Sequence, residues 1–481
     1  MQLTCKAILI LFSYKISIIG ELIKAAMTIT ESTSSLHNNK LNLPPRVPGL
    51  PIVGNALDFL NRPMEFFLES YHKYGPIFRI TAANQKFVVM GGLEANRFFS
   101  QDKDDLFSSE PLFGEFAGQM GSRNFMVALD GEPHRHMRKM MQRGYSKSGL
   151  APHLDSIAEL TYRTAAKWKP GQTLYARDTF QRLVTEQLGT ALTRHSSSEH
   201  FEAIRIYLGT LLNVLVIKRQ PRFMLSMPRY VNARNKVMEF AKQVVEEHRH
   251  SPNPQAPDLV DDLLAAVDLD GKPLKDEDLL AATIGPFFAG MDTVANTMGF
   301  MIYAILKHPE VYEAIQAEVD EHFANGIPPY TELPKMQNLY AATIETLRRY
   351  PVAPFTPRGV TRDFEFGGHH VPAGSDIIIV NGLTHFLPEF FPDPWKFDTT
   401  RYMAPRKEHK QGLGIFAPYT LGAHTCLGAG VAEVQLMVTV GALIRAARLE
   451  LIRPEYEIKT VLMPIPGPDP KFKIRVAGLR L

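Results

Sequence analysis

Phe416-Ala-Pro-Tyr419-Thr-Leu-Gly422-Ala-His424-Thr-Cys426-Leu-Gly428-Ala-Gly430 runs directly into the nearly uncharged Val431-Ala-Glu433-Val-Gln-Leu-Met-Val-Thr-Val-Gly-Ala-Leu443-Ile444. A turn-rich apolar loop therefore delivers one cysteine to the start of an apolar helix. The glycines at 422 and 428 let backbone come close to a large flat partner, and a helix start offers unpaired N–H groups and partial positive charge to the sulfur. Cys426 is placed to be a thiolate. Such a thiolate is a nucleophile, a structural thiol or an axial metal ligand, and spacing alone leaves the inert thiol slightly ahead.

A chain of 481 residues, 45% hydrophobic and 21% charged, can bury a large core as one large domain or three ordinary ones. No internal repeat is visible. The net charge of +3 is too small to imply nucleic acid, and no groove-reading motif is present. With only Cys5 and Cys426, a disulfide framework is excluded and a reducing compartment suits the chain. The first 42 residues read differently from the rest. Ala7 to Tyr14 is apolar, but Lys15, Glu21 and Lys24 interrupt the run beyond it, short of the ~20 apolar residues of a membrane span. Phe12, Ile16, Ile19, Ile23 and Ala26 share one helical face, as in an interfacial helix. Equally, Met27 reads as a working start before the polar Thr28–Asn42, with a signal peptide behind both. Order is expected from Leu43, where Leu43-Pro-Pro-Arg-Val-Pro-Gly-Leu-Pro51 is stiff and extended.

Several constellations have a bland reading beside a chemical one. His134 and Arg138, four apart at a helix start after Asp130-Gly131, share a face that on its own reads as solvated. From Leu279 to Leu306 the only charge is Asp292, which suits a buried core helix as well as a membrane span. Glu345 and Arg348, three apart, make an ordinary helix pair in most proteins.

The Cys426 loop resembles the haem-thiolate signature of the cytochrome P450 family, in which an aromatic, a glycine, a basic residue and a second glycine surround the proximal cysteine. Tyr419, Gly422, His424 and Gly428 hold those places, with Tyr419 where the family favours Phe and His424 where Arg is commonest. Ala289-Gly290-Met-Asp292-Thr293 matches the family's oxygen-activation motif. The resemblance implies that Gly290 opens the helix for dioxygen and water, Thr293 holds water or oxygen there, and Asp292 supplies protons. It makes Glu345, Arg348 and Arg401 a structural triad bracing the cysteine loop, with Tyr402 where Phe is usual. It assigns His134 and Arg138 to one haem propionate and Arg358 to the second. Phe201–Met227 becomes a mobile roof over the substrate. Phe287, Phe288, Ala289, Val352, Phe355 and Ile465 are expected on the distal face, and being apolar they suit a terpenoid, steroid or fatty acid.

What the resemblance implies overall is a single, mostly α domain with a small β region over residues 43–481, after a segment 1–42 that is disordered or lies at a membrane interface. The expected cofactor is haem b held by Cys426, whose thiolate favours O–O cleavage. The expected reaction inserts one oxygen atom from O2 into a lipophilic molecule by hydroxylation or epoxidation. Electrons would come ultimately from NAD(P)H through a separate ferredoxin or flavoprotein, docked on a basic face of Arg138, Lys139, Arg143, Arg406, Lys407 and Lys410. A haem-thiolate peroxygenase or isomerase and a non-catalytic haem binder are the alternatives. A monomer in the cytoplasm is expected, with peripheral membrane contact only through the N-terminal segment.

Overall fold

A computed structural model of the chain describes residues 42–101, 105–462 and 464–480. The expected segment 1–42, Asn42 apart, lies outside them. Leu43–Leu481 clusters as one compact unit, mostly helical, with its β strands in small sheets.

The helix Asp276–Lys307 runs through the core. Asp276, Glu277 and Asp278 fill its first turn, where the helix dipole favours acids, and Lys307 closes its last. Between them nearly every side chain is buried, so the uncharged run is a core helix. It packs along Ala176–Thr193 and crosses Ala429–Ala446, the helix that follows Cys426. Among the described residues only Ala429–Ala446 is apolar and long enough to cross a membrane, and it too is mostly buried in the core.

The largest sheet has five strands in the order Ile77–Ala82, Gln85–Gly91, Asp376–Val380, Thr356–Val360, Phe107–Ser108. The hairpin of Ile77–Ala82 and Gln85–Gly91 forms its edge, with Ile80 opposite Phe87. Thr356–Val360 pairs antiparallel with Asp376–Val380, Arg358 opposite Ile377, which fixes where that arginine leaves the sheet. Phe364–Phe366 and His369–Val371 form a second hairpin through Gly367-Gly368, both glycines at positive φ (57° and 75°) as a tight turn requires. The expected roof is a helix, Phe201–Leu211, a π turn to Val216 and a short 3-10 turn Arg222–Ser226, ahead of the long helix Pro228–His250.

Candidate active site

Gly422 sits at φ 75°, and a Cβ added there would lie 2.5 Å from Phe99 O, so no side chain fits. The side that a Cβ would occupy is closed by protein backbone. The loop is then tied by the Cys426 N–H donating to Tyr419 O at 3.0 Å and by Thr425 Oγ1 donating to Gly422 O at 2.7 Å. Gly428 caps the helix that follows. Cys426 counts as exposed by area, yet the surface it exposes lines an internal cavity. Burial pushes its thiol pKa up, against the pull of the Gly428 N–H and the Arg138 charge. The helix start therefore does not by itself make a thiolate; a bound cation would.

The cavity, about 260 Å³, has a polar end built from the imidazoles of His134 and His424 and the guanidinium groups of Arg138 and Arg358. The rings of His134 and His424 stack at 3.9 Å and 19°. Neither His134 Nδ1 nor His424 Nε2 has a hydrogen-bond partner, although both are buried. His424 Nε2 comes within 3.2 Å of Asp130 Oδ1, an ion-pair distance with poor direction for a hydrogen bond. Burial pulls the His134 pKa down to about 3 and that of Arg358 to about 10. Arg138 is lowered for the same reason. Among the described residues neither arginine has a carboxylate within salt-bridge distance; Arg358 donates to Pro357 O at 2.8 Å. Asp130, the acid nearby, is engaged by Ser108 Oγ at 2.6 Å and Ser109 N at 3.0 Å. Burial would raise its pKa, but His424 and those donors hold it down at about 2. Desolvated donors without acceptors are costly unless a ligand supplies the acceptors. A planar group with two carboxylates and a metal for Cys426 does so, and these residues fit haem b.

Across the cavity stand Phe288, Ala289, Gly290 and Thr293 of the central helix, with Phe113 and Phe125 beside them. Thr293 Oγ1 donates to Ala289 O at 2.6 Å. The expected opening at Gly290 is not seen: the helix is continuous, and Gly290 makes room for Leu188, whose Cδ1 would lie 2.8 Å from an added Cβ. The missing backbone donor belongs to Pro286, one turn earlier, which also lines the cavity. Four expected pocket residues are not on the wall. Phe287 turns away onto Phe240, ring centroids 6.0 Å apart, Phe355 packs on Phe59 and Phe67, and Ile465 and Val352 lie outside the lining. Asp292 also faces away. It accepts from Gln181 Nε2 and borders a separate crevice with Arg177 and Arg205, and burial raises its pKa. Asp292 stands about 100° round the helix from Thr293, and the side chain of Gln181 on the neighbouring helix takes its carboxylate on that side.

Below the loop, Glu345 takes a two-point grip from Arg348 at 2.7 and 2.8 Å. Arg401 Nε stands 3.4 Å from Glu345, with its stronger bond, 3.0 Å, to Glu408. Tyr402 fills out the site by donating its hydroxyl to Glu345 at 2.6 Å. His385, unforeseen in the sequence, accepts from the Ala417 N–H at 2.9 Å while its carbonyl accepts from Arg348 at 2.7 Å. No spacing marks His385, which meets the loop from 32 residues away, whereas Asp130 precedes the His134 helix and Glu408 follows Arg401 by seven residues. The expected basic face loses three members. Arg143 is paired with Asp262, Arg406 with Glu408 and Asp398, and Arg138 forms cavity wall, which leaves Lys139, Lys407 and Lys410.

Cys426 and Thr293 on the wall of one largely apolar cavity, with two stacked histidines and two arginines at one end, fit a haem-thiolate protein. The family profile described as Cytochrome P450 matches residues 44–472. The chain belongs to the cytochrome P450 family and is an oxidoreductase of the monooxygenase kind. It is 26% identical over 414 residues to the cyclooctat-9-en-7-ol 5-monooxygenase of Streptomyces melanosporofaciens, covering 84% of this chain and 88% of that one. To abscisic acid 8'-hydroxylase 2 of Arabidopsis thaliana it is 25% identical over 455 residues, covering 92% and 91%. Retinoic acid-bound cyanobacterial CYP120A1 shares the fold with a TM-score of 0.78 at 22% identity, over 91% of this chain and 99% of that one.

Proposed function

We propose that the protein hydroxylates or epoxidises a lipophilic small molecule, of isoprenoid size and shape, using electrons that originate in NAD(P)H and reach it from a separate ferredoxin or flavoprotein. When bound, the haem supplies the oxygen chemistry. Cys426 would ligate it, while His134, Arg138, Arg358 and His424 would take its carboxylates and fix its orientation. Phe113, Phe125 and Phe288 keep water from the substrate side and hold an apolar molecule against the central helix. Thr293 offers oxygen lone pairs to the cavity, where it orders a water and delivers a proton through it. Asp292 would act from behind the helix, exchanging protons with the polar crevice beside Gln181. The relatives named for a terpenoid alcohol and for abscisic acid support an isoprenoid substrate.

The observation that carries the reading is Thr293 of the central helix on the wall of the same cavity as Cys426. The test is a purified chain with haem, a reducing partner and a terpenoid panel. A ferrous carbonyl complex with the strongly red-shifted band of a thiolate ligand is expected, lost in Cys426→Ala, together with oxygenated product that depends on the donor. A histidine-like spectrum, or peroxide-driven turnover with none from the donor, overturns it.

A further inference from the structure

A second cavity, about 1110 Å³, opens between the helix that starts at Pro63, the residues following Arg348, and the hairpin Thr460–Val461/Gly467–Pro468. It shares no lining residue with the cavity at Cys426. At its wall Arg349 lies with its guanidinium carbon 4.8 Å from the Tyr350 ring centre and 5.2 Å from that of Trp395. Its Nε donates to Trp395 O at 2.6 Å, which fixes the plane of the fork. No carboxylate among the described residues reaches salt-bridge distance of it. Trp395 itself is 40% exposed, backed by Phe386 at 4.6 Å. Arg219, Lys459 and Lys471 stand around the same groove, whereas its acids are Glu65 and Asp469; the remaining cation, Arg62, is already held by Asp58 and Glu69.

We propose that this groove is a binding site for an amphipathic carboxylate, its head taken by Arg349 with Arg219 and Lys459 and its apolar body laid over Trp395 and Val461. A half-desolvated guanidinium with its faces covered and its edge open suits the two-point geometry of a carboxylate. The exposed aromatic and aliphatic wall gains from covering by hydrocarbon, and the surplus of cations opposes a neutral or cationic occupant. Burial also holds the Arg349 pKa below its ordinary value, which an anionic partner would offset.

Dodecanoate and the uncharged dodecan-1-ol are the probes, added to the full chain with haem. The protein has two tryptophans, and Trp168 is buried, so emission lost in Trp395→Phe reports the groove. Dodecanoate should change it saturably and more tightly than the alcohol. Arg349→Gln should weaken that response about tenfold, and the exposed Lys459→Gln severalfold, while any Soret shift that dodecanoate causes at the haem stays as in the parent. Should Arg349→Gln fail to fold, Lys459→Gln decides. Equal binding of acid and alcohol, unchanged affinity in the variants, emission that only follows the Soret titration, or a response to anionic vesicles without one to free dodecanoate would each overturn the site.

Discussion

Thr293 commits its own proton to the helix, donating to Ala289 O, so what it presents to the cavity is lone-pair oxygen. Under the proposed function it would serve there as an acceptor for a water, and the water would carry the proton. Thr293→Ala should keep haem and substrate binding and keep consuming the donor, yet release much of the flux as hydrogen peroxide, with product per electron pair falling severalfold. Assays of product and peroxide against donor consumed decide it; unchanged coupling would reduce Thr293 to a packing residue. Tyr402 is a different kind of residue, an added donor where the family usually has none. Its hydroxyl meets a carboxylate that no solvent reaches, and a hydrogen bond to a buried charge contributes about 1.5–3 kcal/mol. Glu345 keeps Arg348 and the Asp398 N–H when that bond goes, so Tyr402→Phe should cost about 1–2 kcal/mol in urea unfolding, below the 3–5 kcal/mol of a stranded buried charge.

At the scale of elements, the central helix meets Ala176–Thr193 so closely at Gly290 that Leu188 occupies the space of a side chain. Gly290→Ala gains about 1 kcal/mol of helix propensity but incurs about 1–3 kcal/mol of overpacking, so net destabilisation of up to about 2 kcal/mol is expected. Leu188→Ala in the same chain should make Gly290→Ala favourable, a sign change read from the four denaturation midpoints of the cycle. The motif around Gly290 was legible as a string of residue types, whereas the helix's lack of charge suited a membrane span as well as a buried core helix. Which residues face the cavity was not legible from the 3.6-residue period, because Asp292 lies on nearly the same bearing as the lining Gly285, and Phe287 on that of the lining Val294. The break in the backbone ladder followed from Pro286, a residue whose meaning is chemical and local. What no local pattern carried was the partner of Gly290, because Leu188 comes from another helix.

The cysteine loop is held by contacts that join segments far apart in the chain, which is why the mostly helical class was legible in the sequence and the role of His385 was not. His385 has no accessible surface, accepts from Ala417 N–H through Nε2 and lies beside Arg348. Burial first, then the Arg348 charge, lowers its pKa to about 3. Protonation would turn its acceptor into a second donor facing the Ala417 N–H, with a cation next to it. In the unfolded chain the same imidazole titrates near 6.5. Below about pH 6.5 the unfolded state therefore binds a proton that the folded state refuses, and stability falls with acid by about 1.4 kcal/mol per pH unit until the folded group titrates near 3. Other groups act outside or alongside this window. His248 has its pKa raised because, although burial lowers it, the bond to Asp258 outweighs that, so its stabilisation is lost only above about pH 6.5. Asp130 and Asp398, held near 2, lose theirs below about pH 4. His134 shares the His385 window, so the test is a difference between chains. His385→Asn keeps an acceptor for Ala417 without a titrating group. Urea unfolding between about pH 4 and 6.5 should show its dependence on pH shallower than the parent's by about 1.4 kcal/mol per unit, equal to one proton. Parallel slopes would mean that His385 is already protonated in the folded chain and that Ala417 is held by something else.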